Sequence, residues 1–152
     1  MKIYGFASES LTNIWAGIGA QKWAVGRSND PAYSKGRKTK AEKMPIGAFG
    51  VLYCNETSSY TTPFVVYSKP HATEVISNIW ADPWVLPFGI KPLGNPQRSL
   101  TVAQMLEVIP HATERRITDP RKHLITVQGN FAFQASDITD DDWAVLIEHL
   151  AI

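Results

Sequence analysis

Residues 3–28, IYGFASESLTNIWAGIGAQKWAVGRS, contain the patterns that decide the fold. The run at 2–7 is typical of a strand. A helix is expected after it, because Leu11, Ile14, Trp15 and Ile18 recur at intervals of three and four. This spacing predicts that Trp15 lies on the buried side of the helix. Glycines end the helix near position 21, so Trp23 falls in a polar turn beyond it.

The middle of the chain is expected to be mainly strands. Strands are predicted at 46–54, 60–68 and 85–93, and Pro63 indicates an edge position or a bulge in the second of them. The segment 24–44 is basic and has few apolar residues, which favours a loop with a helical turn at 39–43.

The last third predicts two helices and a short hairpin. A helix is expected at about 100–109, with Ser99 as its cap and Pro110 as its stop. The hairpin is expected around Gly129-Asn130. The final helix follows Thr139, and three aspartates at 140–142 suit its positive end. Its apolar stripe, which starts at Trp143, places that side chain in the core.

This order of elements predicts an α+β fold in which helices flank a small, strongly curved sheet or barrel. The length of 152 residues suits one domain over 1–152. A hydrophobic content of 44% is sufficient for a core. The sequence shows no signal peptide and no membrane span, so a cytoplasmic location is expected.

Charge is distributed unevenly along the chain. The first 122 residues contain 15 basic and nine acidic residues, a net charge of +6, whereas the last 30 contain only five acidic residues. An acidic last helix therefore masks a basic body. Cys54 is the only cysteine, which excludes an internal disulfide and a cysteine-rich zinc site. Its apolar neighbours predict a buried thiol.

Three tryptophans lie in polar surroundings that a buried core would not select. Trp23 is flanked by charged residues in QKWAVGRSND, and Trp80 and Trp84 enclose an Asp-Pro pair in NIWADPWVLPF. Large aromatics in such segments are candidates for stacking on a flat or cationic ligand. The alternative is that they cover the edges of the core. Asn13 lies off the apolar stripe of the first helix, and its amide could bind the edge of a base.

Motifs for catalysis and for cofactor binding are absent. The chain has no phosphate loop, HExxH, GxSxG or dinucleotide fingerprint, and its four histidines lack metal-ligand spacing. We therefore expect no catalytic residue, metal or cofactor. An enzyme or small-molecule binder that uses Glu9 or Asp82 as its base is the alternative, and a purely structural role is a further one.

Four segments together resemble the EVE/YTH group of the PUA-like superfamily. Residues 3–28 are similar to its opening strand, helix and tryptophan turn, and residues 44–70 to its central hairpin, which in EVE domains ends as VVYSKP does here. Residues 78–94 and 129–150 are similar to its later tryptophan segment and its closing helix.

The resemblance implies an aromatic cage for a methylated base. Trp23, Trp80 and Trp84 match its walls, with Leu86 as an alternative to Trp84. Asn13 matches the residue that contacts a ring nitrogen of N6-methyladenine, and Ala24 matches a backbone carbonyl that accepts from the base. Basic side chains are expected to bind phosphate, namely Arg27, Lys35, Arg37, Lys38, Arg98 and Arg121.

The resulting hypothesis is a reader of methylated bases. N6-methyladenine in DNA is the first expectation, with the chain as the specificity module of a modification-dependent restriction system and a nuclease or NTPase domain or subunit as its partner. The alternatives are 5-methylcytosine in DNA and N6-methyladenosine in RNA. A comparison of matched DNA and RNA would separate the two polymers, because only RNA offers a 2′-OH contact.

Overall fold

The computed structural model describes residues 1–152 and contains eight strands and six α-helices. The strands are β1 Lys2–Ser8, β2 Lys22–Gly26, β3 Phe49–Cys54, β4 Ser59–Val66, β5 Val75–Ile76, β6 Trp84–Pro92, β7 Ser99–Thr101 and β8 Ala135–Asp137. The helices are α1 Leu11–Ala20, α2 Pro31–Lys43, α3 Val102–Val108, α4 Pro110–Glu114, α5 Pro120–His123 and α6 Asp140–Leu150. A 3-10 turn spans Gly129–Phe131.

The strands form one sheet in the order β2-β6-β4-β3-β1-β8, with β5 paired to β6 and β7 paired to β4. Strands β1 and β3 are parallel, and the other pairs are antiparallel. The sheet curls into a half-barrel flanked by helices, which confirms the predicted α+β class. None of the helices combines the length and the apolar surface needed to cross a bilayer.

A bulge in β4 confirms the expectation from Pro63. The pairing of β3 with β4 shifts between Val51, opposite Pro63, and Leu52, opposite Thr61. Thr62 is the extra residue, with a φ of 52° and no exposed surface. Such an insertion bends a strand and increases its twist.

Apolar side chains cover both faces of the sheet. Along β3, Leu52 and Cys54 contribute to one core and Val51 and Tyr53 to the other, as the two-residue period of a strand requires. The first core contains Trp23 and the phenylalanines of β1, β4 and β6. The second lies under α3, α4 and α6. Cys54 is fully buried, as predicted.

The second core encloses one buried phenol. The Tyr60 hydroxyl donates to the Ile125 carbonyl at 2.9 Å. Burial, followed by the neighbouring Tyr53, raises the pKa of Tyr60 well above its usual value. Tyr60 is therefore neutral at physiological pH and acts here as a hydrogen-bond donor.

The helical turn predicted at 39–43 lies within α2, but the rest of the predicted loop at 24–44 is wrong, because the segment contains the end of β2 and the whole 13-residue helix α2. The Asp30 carboxylate caps α2 by accepting from the N–H groups of Ala32 at 3.0 Å and Tyr33 at 3.3 Å, and Pro31 is the first helical residue. Only Arg37 and Ala41 of this helix are buried. The helix therefore has no apolar stripe for a periodicity search to detect.

The predicted burial of Trp15 is also wrong, since this side chain is 44% exposed. Ile14 and Gly17 occupy the buried side of α1 instead. The reason is the close approach of the helix to Trp23, because a Cβ added at Gly17 would lie 2.8 Å from Cε3 of that indole. Gly17 thus lets α1 rest on Trp23, and the resulting rotation turns Trp15 towards solvent.

Three further expectations in the last third need correction. The hairpin around Gly129-Asn130 is a 3-10 turn, and β8 pairs with β1. The side chains of Ile125 and Val127 pack into the second core without forming a strand. Thr101, rather than Ser99, caps the helix at 102–108. This helix ends before Pro110, as predicted, and Pro110 is also the first residue of α4.

The final helix forms as predicted, with Thr139 as its cap. Trp143 is partly buried in the second core and packs on Phe49, with ring centroids 4.7 Å apart. Asp142 is fully buried, and its carboxylate accepts from the N–H groups of Thr139 at 3.1 Å and His111 at 3.0 Å. This carboxylate therefore ties α6 to the start of α4.

Replacement of this carboxylate should destabilise the fold. We expect Asp142→Ala to lower the free energy of unfolding by about 2–4 kcal/mol, because a fully buried side chain is removed and two partly buried N–H groups lose their acceptor. Asp141→Ala is the matched control in the same helical turn, where the side chain is exposed, and its change should stay within about 0.5 kcal/mol. Urea denaturation measures both, and equal losses would contradict this role of Asp142.

Candidate functional site

The largest cavity opens where β1, β2, α1 and α2 meet beside the 3-10 turn. Its volume is about 600 Å³, within the range of small-molecule sites. The lining combines aromatic, amide and cationic residues with the small residues Ala24 and Gly26 of β2. Of the predicted site residues it includes Trp23, Trp84, Asn13, Ala24, Arg27 and Arg37.

The three tryptophans lie together, in two layers. Trp80 and Trp84 stack face to face, with centroids 4.4 Å apart and planes 13° apart. Trp23 meets both edge-on, at 5.6 Å and 5.4 Å and an interplanar angle of 79° in each case. Only Trp23 and Trp84 line the cavity, and Trp80 lies behind it. The contact between Trp80 and Trp84 leaves no layer for another ring, so a planar ligand must bind on the cavity side.

The sheet positions both cavity tryptophans. Trp23 pairs with Phe88 in the β2–β6 ladder, and Trp84 pairs with Gly26 on one side and with Ile76 of β5 on the other. Trp23 is 1% exposed, whereas Trp84 is half-buried. Trp84 is therefore the wall that a ligand can reach from solvent.

Trp80 connects the tryptophan cluster to α1. Its indole N–H donates to the Asn13 carbonyl at 2.9 Å, and the side chain is 5% exposed. The backbone N–H of Asn13 is also engaged, with Ser10 Oγ at 3.2 Å. Both contacts use the backbone of Asn13, and its side-chain amide forms no hydrogen bond within the protein. The amide of Asn13 lines the cavity and offers both donor and acceptor groups.

Ala24 lies at an irregularity in the β2–β6 pairing. Trp23 pairs with Phe88 and Val25 with Val85, so Ala24 faces the two-residue bulge Leu86-Pro87. Because proline has no N–H, this bulge has a reduced capacity to donate to β2. Ala24 lines the cavity, and its backbone carbonyl is a hydrogen-bond acceptor.

Leu86 lies outside this cavity. It is 5% exposed, has a φ of 55° at the bulge, and lines a smaller cleft beside the cavity. Of the two residues considered for the third wall, the structure therefore places Trp84 at the cavity and Leu86 beside it.

The predicted phosphate-binding residues lie in three places. Arg27, Arg37 and Lys38 surround the cavity and the cleft next to it, and Lys35 is exposed on the same helix. Arg98 is distant from this group, since its Nη1 donates to the Ala151 carbonyl at 3.0 Å.

Arg121 lines a second, polar pocket, which shares Gln128 and Gly129 with the cavity. Burial of the Asp119 carboxyl opposes its ionisation, but hydrogen bonds from Arg121 outweigh this effect and lower the pKa of Asp119. Hydrogen bonds to Asp119 and then to Tyr53 raise the pKa of Arg121. This guanidinium is therefore a fixed cation whose charge is partly neutralised.

Sequence reasoning missed Tyr33 and the segment at 127–129 as parts of the cavity. The Tyr33 hydroxyl donates to the Gly129 carbonyl at 2.9 Å, which joins α2 to the 3-10 turn across the opening. The Asp-Pro pair at 30–31 is a helix-start signal that could have located α2, and with it Tyr33 and Arg37, which are one turn apart.

The two acids considered as catalytic bases are not brought together. Glu9 lines the cavity and accepts from Asn55 Nδ2 at 3.0 Å, whereas Asp82 does not line it. No group of three or more His, Cys, Asp or Glu residues has the arrangement of a metal site. The cavity lining therefore includes indole, amide and arginine side chains with one carboxylate, Glu9.

No protein-family model matches the chain, and neither does any curated protein. Among solved structures, the chain is similar to the YTH domain of the Zygosaccharomyces rouxii MRB1 protein in complex with N6-methyladenosine RNA. The TM-score is 0.61 at 14% identity, over 97% of this chain and 86% of that one. The Pho92 YTH domain in complex with m6A has a TM-score of 0.59 at 14% identity, over 97% of this chain and 82% of that one. The Toxoplasma CPSF4-YTH domain in apo form has a TM-score of 0.58 at 10% identity, over 99% of this chain and 88% of that one.

These similarities show the fold. The chain has a YTH-like fold, which confirms the YTH part of the predicted resemblance. The association with an EVE-type restriction system stays a prediction.

The two layers of tryptophans should respond differently to truncation. We expect Trp80→Ala to lower the free energy of unfolding by about 3–5 kcal/mol, because it creates a cavity between Trp23, Trp84 and α1. Trp15→Ala is the matched control on the exposed side of α1, and its effect should be within about 0.5 kcal/mol. Chemical denaturation provides the comparison, and a Trp80→Ala protein as stable as the wild type would refute the supporting role of Trp80.

Proposed function

We propose that this chain binds nucleic acid that carries N6-methyladenine and holds the modified base, turned out of its strand, in the cavity of Trp23 and Trp84. One observation carries the proposal. One cavity of about 600 Å³ is lined by Trp23, Trp84, Asn13 and Ala24 together.

The polar groups of the cavity complement the edge of the base. N6-methyladenine has one remaining N–H on its exocyclic nitrogen and an acceptor at the adjacent ring nitrogen. The carbonyl of Ala24 can accept from the first, and the Asn13 amide can donate to the second. Such pairing would reject a base that left these groups unsatisfied, because unpaired buried polar groups cost about 1–3 kcal/mol each.

The methyl group provides the selectivity between modified and unmodified bases. Trp84 is half-buried and presents apolar surface from which a methyl group can displace water, whereas Trp23, which is 1% exposed, packs edge-on against it. One methyl group in an apolar pocket discriminates by roughly 10–200-fold. We therefore expect a selectivity of that order.

The free-energy cost of base flipping determines whether a duplex or a single strand is the better target. Extrusion from a duplex costs a few kcal/mol, and stacking on an aromatic side chain returns about 1–3 kcal/mol per base. Trp84 is the only one of the three tryptophans that is both at the cavity and partly exposed. Single-stranded or weakly paired targets are therefore favoured.

Different observations support RNA and DNA as the polymer. The YTH domains of MRB1 and Pho92, which share this fold, are in complex with N6-methyladenosine RNA and with m6A. DNA, with a nuclease or NTPase partner, rests on the EVE-like sequence ending VVYSKP at 65–70. A 2′-OH contact, which only RNA can make, would separate the two polymers.

Affinity measurements with matched oligonucleotides test the proposal. Short single strands of RNA and DNA would carry adenine or N6-methyladenine at one position, with 5-methylcytosine against cytosine as the second pair. We expect N6-methyladenine to bind about 10–200-fold more tightly than adenine. The preferred polymer is the one in which methylation increases the affinity by the larger factor. Equal affinity for methylated and unmodified strands in both polymers would sink the proposal.

Trp84→Ala and Trp15→Ala form the control pair for this measurement. Trp84→Ala removes a cavity wall and should abolish the preference for the methylated base, whereas Trp15 is exposed outside the cavity and its replacement should leave the preference intact. Circular dichroism would establish that both variants are folded. A preference retained in Trp84→Ala would place the methyl group elsewhere.

A further inference from the structure

A small cleft adjoins the cavity between the end of β2, helix α2 and the start of β6. Its volume is about 170 Å³, and it is lined by Arg27, Ser28, Ser34, Arg37, Lys38, Ala72, Val85 and Leu86. Three of these eight side chains are cationic and two carry hydroxyls, whereas none is acidic. Ligand pockets for whole small molecules usually measure roughly 300–1,000 Å³, so this cleft suits a small anionic group.

Arg37 is the most unusual residue of the cleft. It is 8% exposed, and its Nε has no hydrogen-bond partner. It takes part in none of the salt bridges of the protein, and its guanidinium lies 5.2 Å from the centroid of the Tyr33 ring. Buried polar groups are nearly always hydrogen-bonded and buried charges nearly always paired, so the unpartnered Nε of a guanidinium that forms no ion pair indicates an anion that the protein itself does not supply.

The surrounding groups leave the cleft electropositive. The nearby Asp30 carboxylate is committed to the cap of α2, where it accepts from Ala32 and Tyr33, and it does not line the cleft. Ser28 Oγ accepts from the Asp30 N–H at 3.2 Å, which leaves its own O–H free to donate. The Ser34 hydroxyl donates to the Ser28 carbonyl at 3.3 Å. The cleft thus offers guanidinium, ammonium and one hydroxyl donor, that of Ser28, with no competing carboxylate.

The cleft and the cavity are adjacent, because Arg27, Ser28 and Arg37 line both. We propose that the cleft binds one phosphate group, and that this phosphate belongs to the nucleotide whose base occupies the Trp23–Trp84 cavity or to its direct neighbour. The assignment to a nucleotide rests on the proposed function, whereas the affinity for phosphate does not. The same chemistry would hold either a backbone phosphodiester or the terminal phosphate of a free nucleotide.

Inorganic phosphate is the first probe, since it tests the cleft alone. In ¹⁵N-labelled protein, we expect the backbone amides of Arg27 and Ser28 to shift saturably with phosphate at constant ionic strength, with chloride as the balancing anion. Arg37→Met should abolish the shifts, because it keeps an unbranched apolar chain and removes the charge. Lys35→Met, on the exposed side of α2, is the matched control and should titrate like the wild type.

A single neutral linkage tests the phosphodiester. In methylated oligonucleotides, a methylphosphonate would replace each phosphate in turn around the modified base. We expect one position at which the wild type loses about tenfold or more in affinity, as for one charge-assisted hydrogen bond, while Arg37→Met loses nothing further there. N6-methyladenosine 5′-monophosphate compared with its nucleoside tests the terminal phosphate in the same way.

Thermal stability separates binding from a structural role of Arg37. An unpaired buried charge opposes folding, so Arg37→Met should melt at or above the wild-type temperature. The absence of a phosphate-induced shift in the wild type, or equal shifts in Arg37→Met, would overturn the phosphate site. Phosphate shifts without any preference for methylated bases would support the cleft and reject the proposed function.

Discussion

The hydrogen bond from the Trp80 indole to the Asn13 carbonyl, 2.9 Å long, is the contact on which the candidate site depends. It joins the segment before β6 to helix α1 and fixes the ring against which Trp84 stacks at 4.4 Å. Trp23 closes the cluster edge-on, and Gly17 lets α1 approach it. One contact therefore positions a cavity wall and leaves the Asn13 amide free to face the cavity.

The sequence predicted the parts of the fold that have strong local signals. The strands around the bulge at Pro63, the α6 helix with its Thr139 cap and the buried thiol of Cys54 are examples. It predicted neither the exposure of Trp15 nor helix α2. Both depend on tertiary contacts, because Gly17 sets the rotation of α1 against Trp23, and the buried face of α2 contains the cation Arg37.

The residue types of the site were predictable from the sequence, but which tryptophans line the cavity and which lies behind it was not. Trp23, Trp84, Asn13 and Ala24 meet at one cavity, yet Trp80 supports it from behind. No sequence pattern separates a wall from its support, because both are tryptophans in polar segments. Likewise, the basic residues of 27–38 look alike along the chain, but burial distinguishes Arg37 from Lys35. The YTH-like fold provides the frame, and the arrangement of these residues provides the chemistry.

A crystal structure of the chain with a short strand that contains N6-methyladenine would test the central claim most directly. We expect the modified base in the cavity, stacked against Trp84, with its methyl group against indole surface, the Ala24 carbonyl accepting from its N–H and the Asn13 amide on its ring nitrogen. A strand bound with this base in solvent, or on a surface away from Trp23 and Trp84, would contradict the claim.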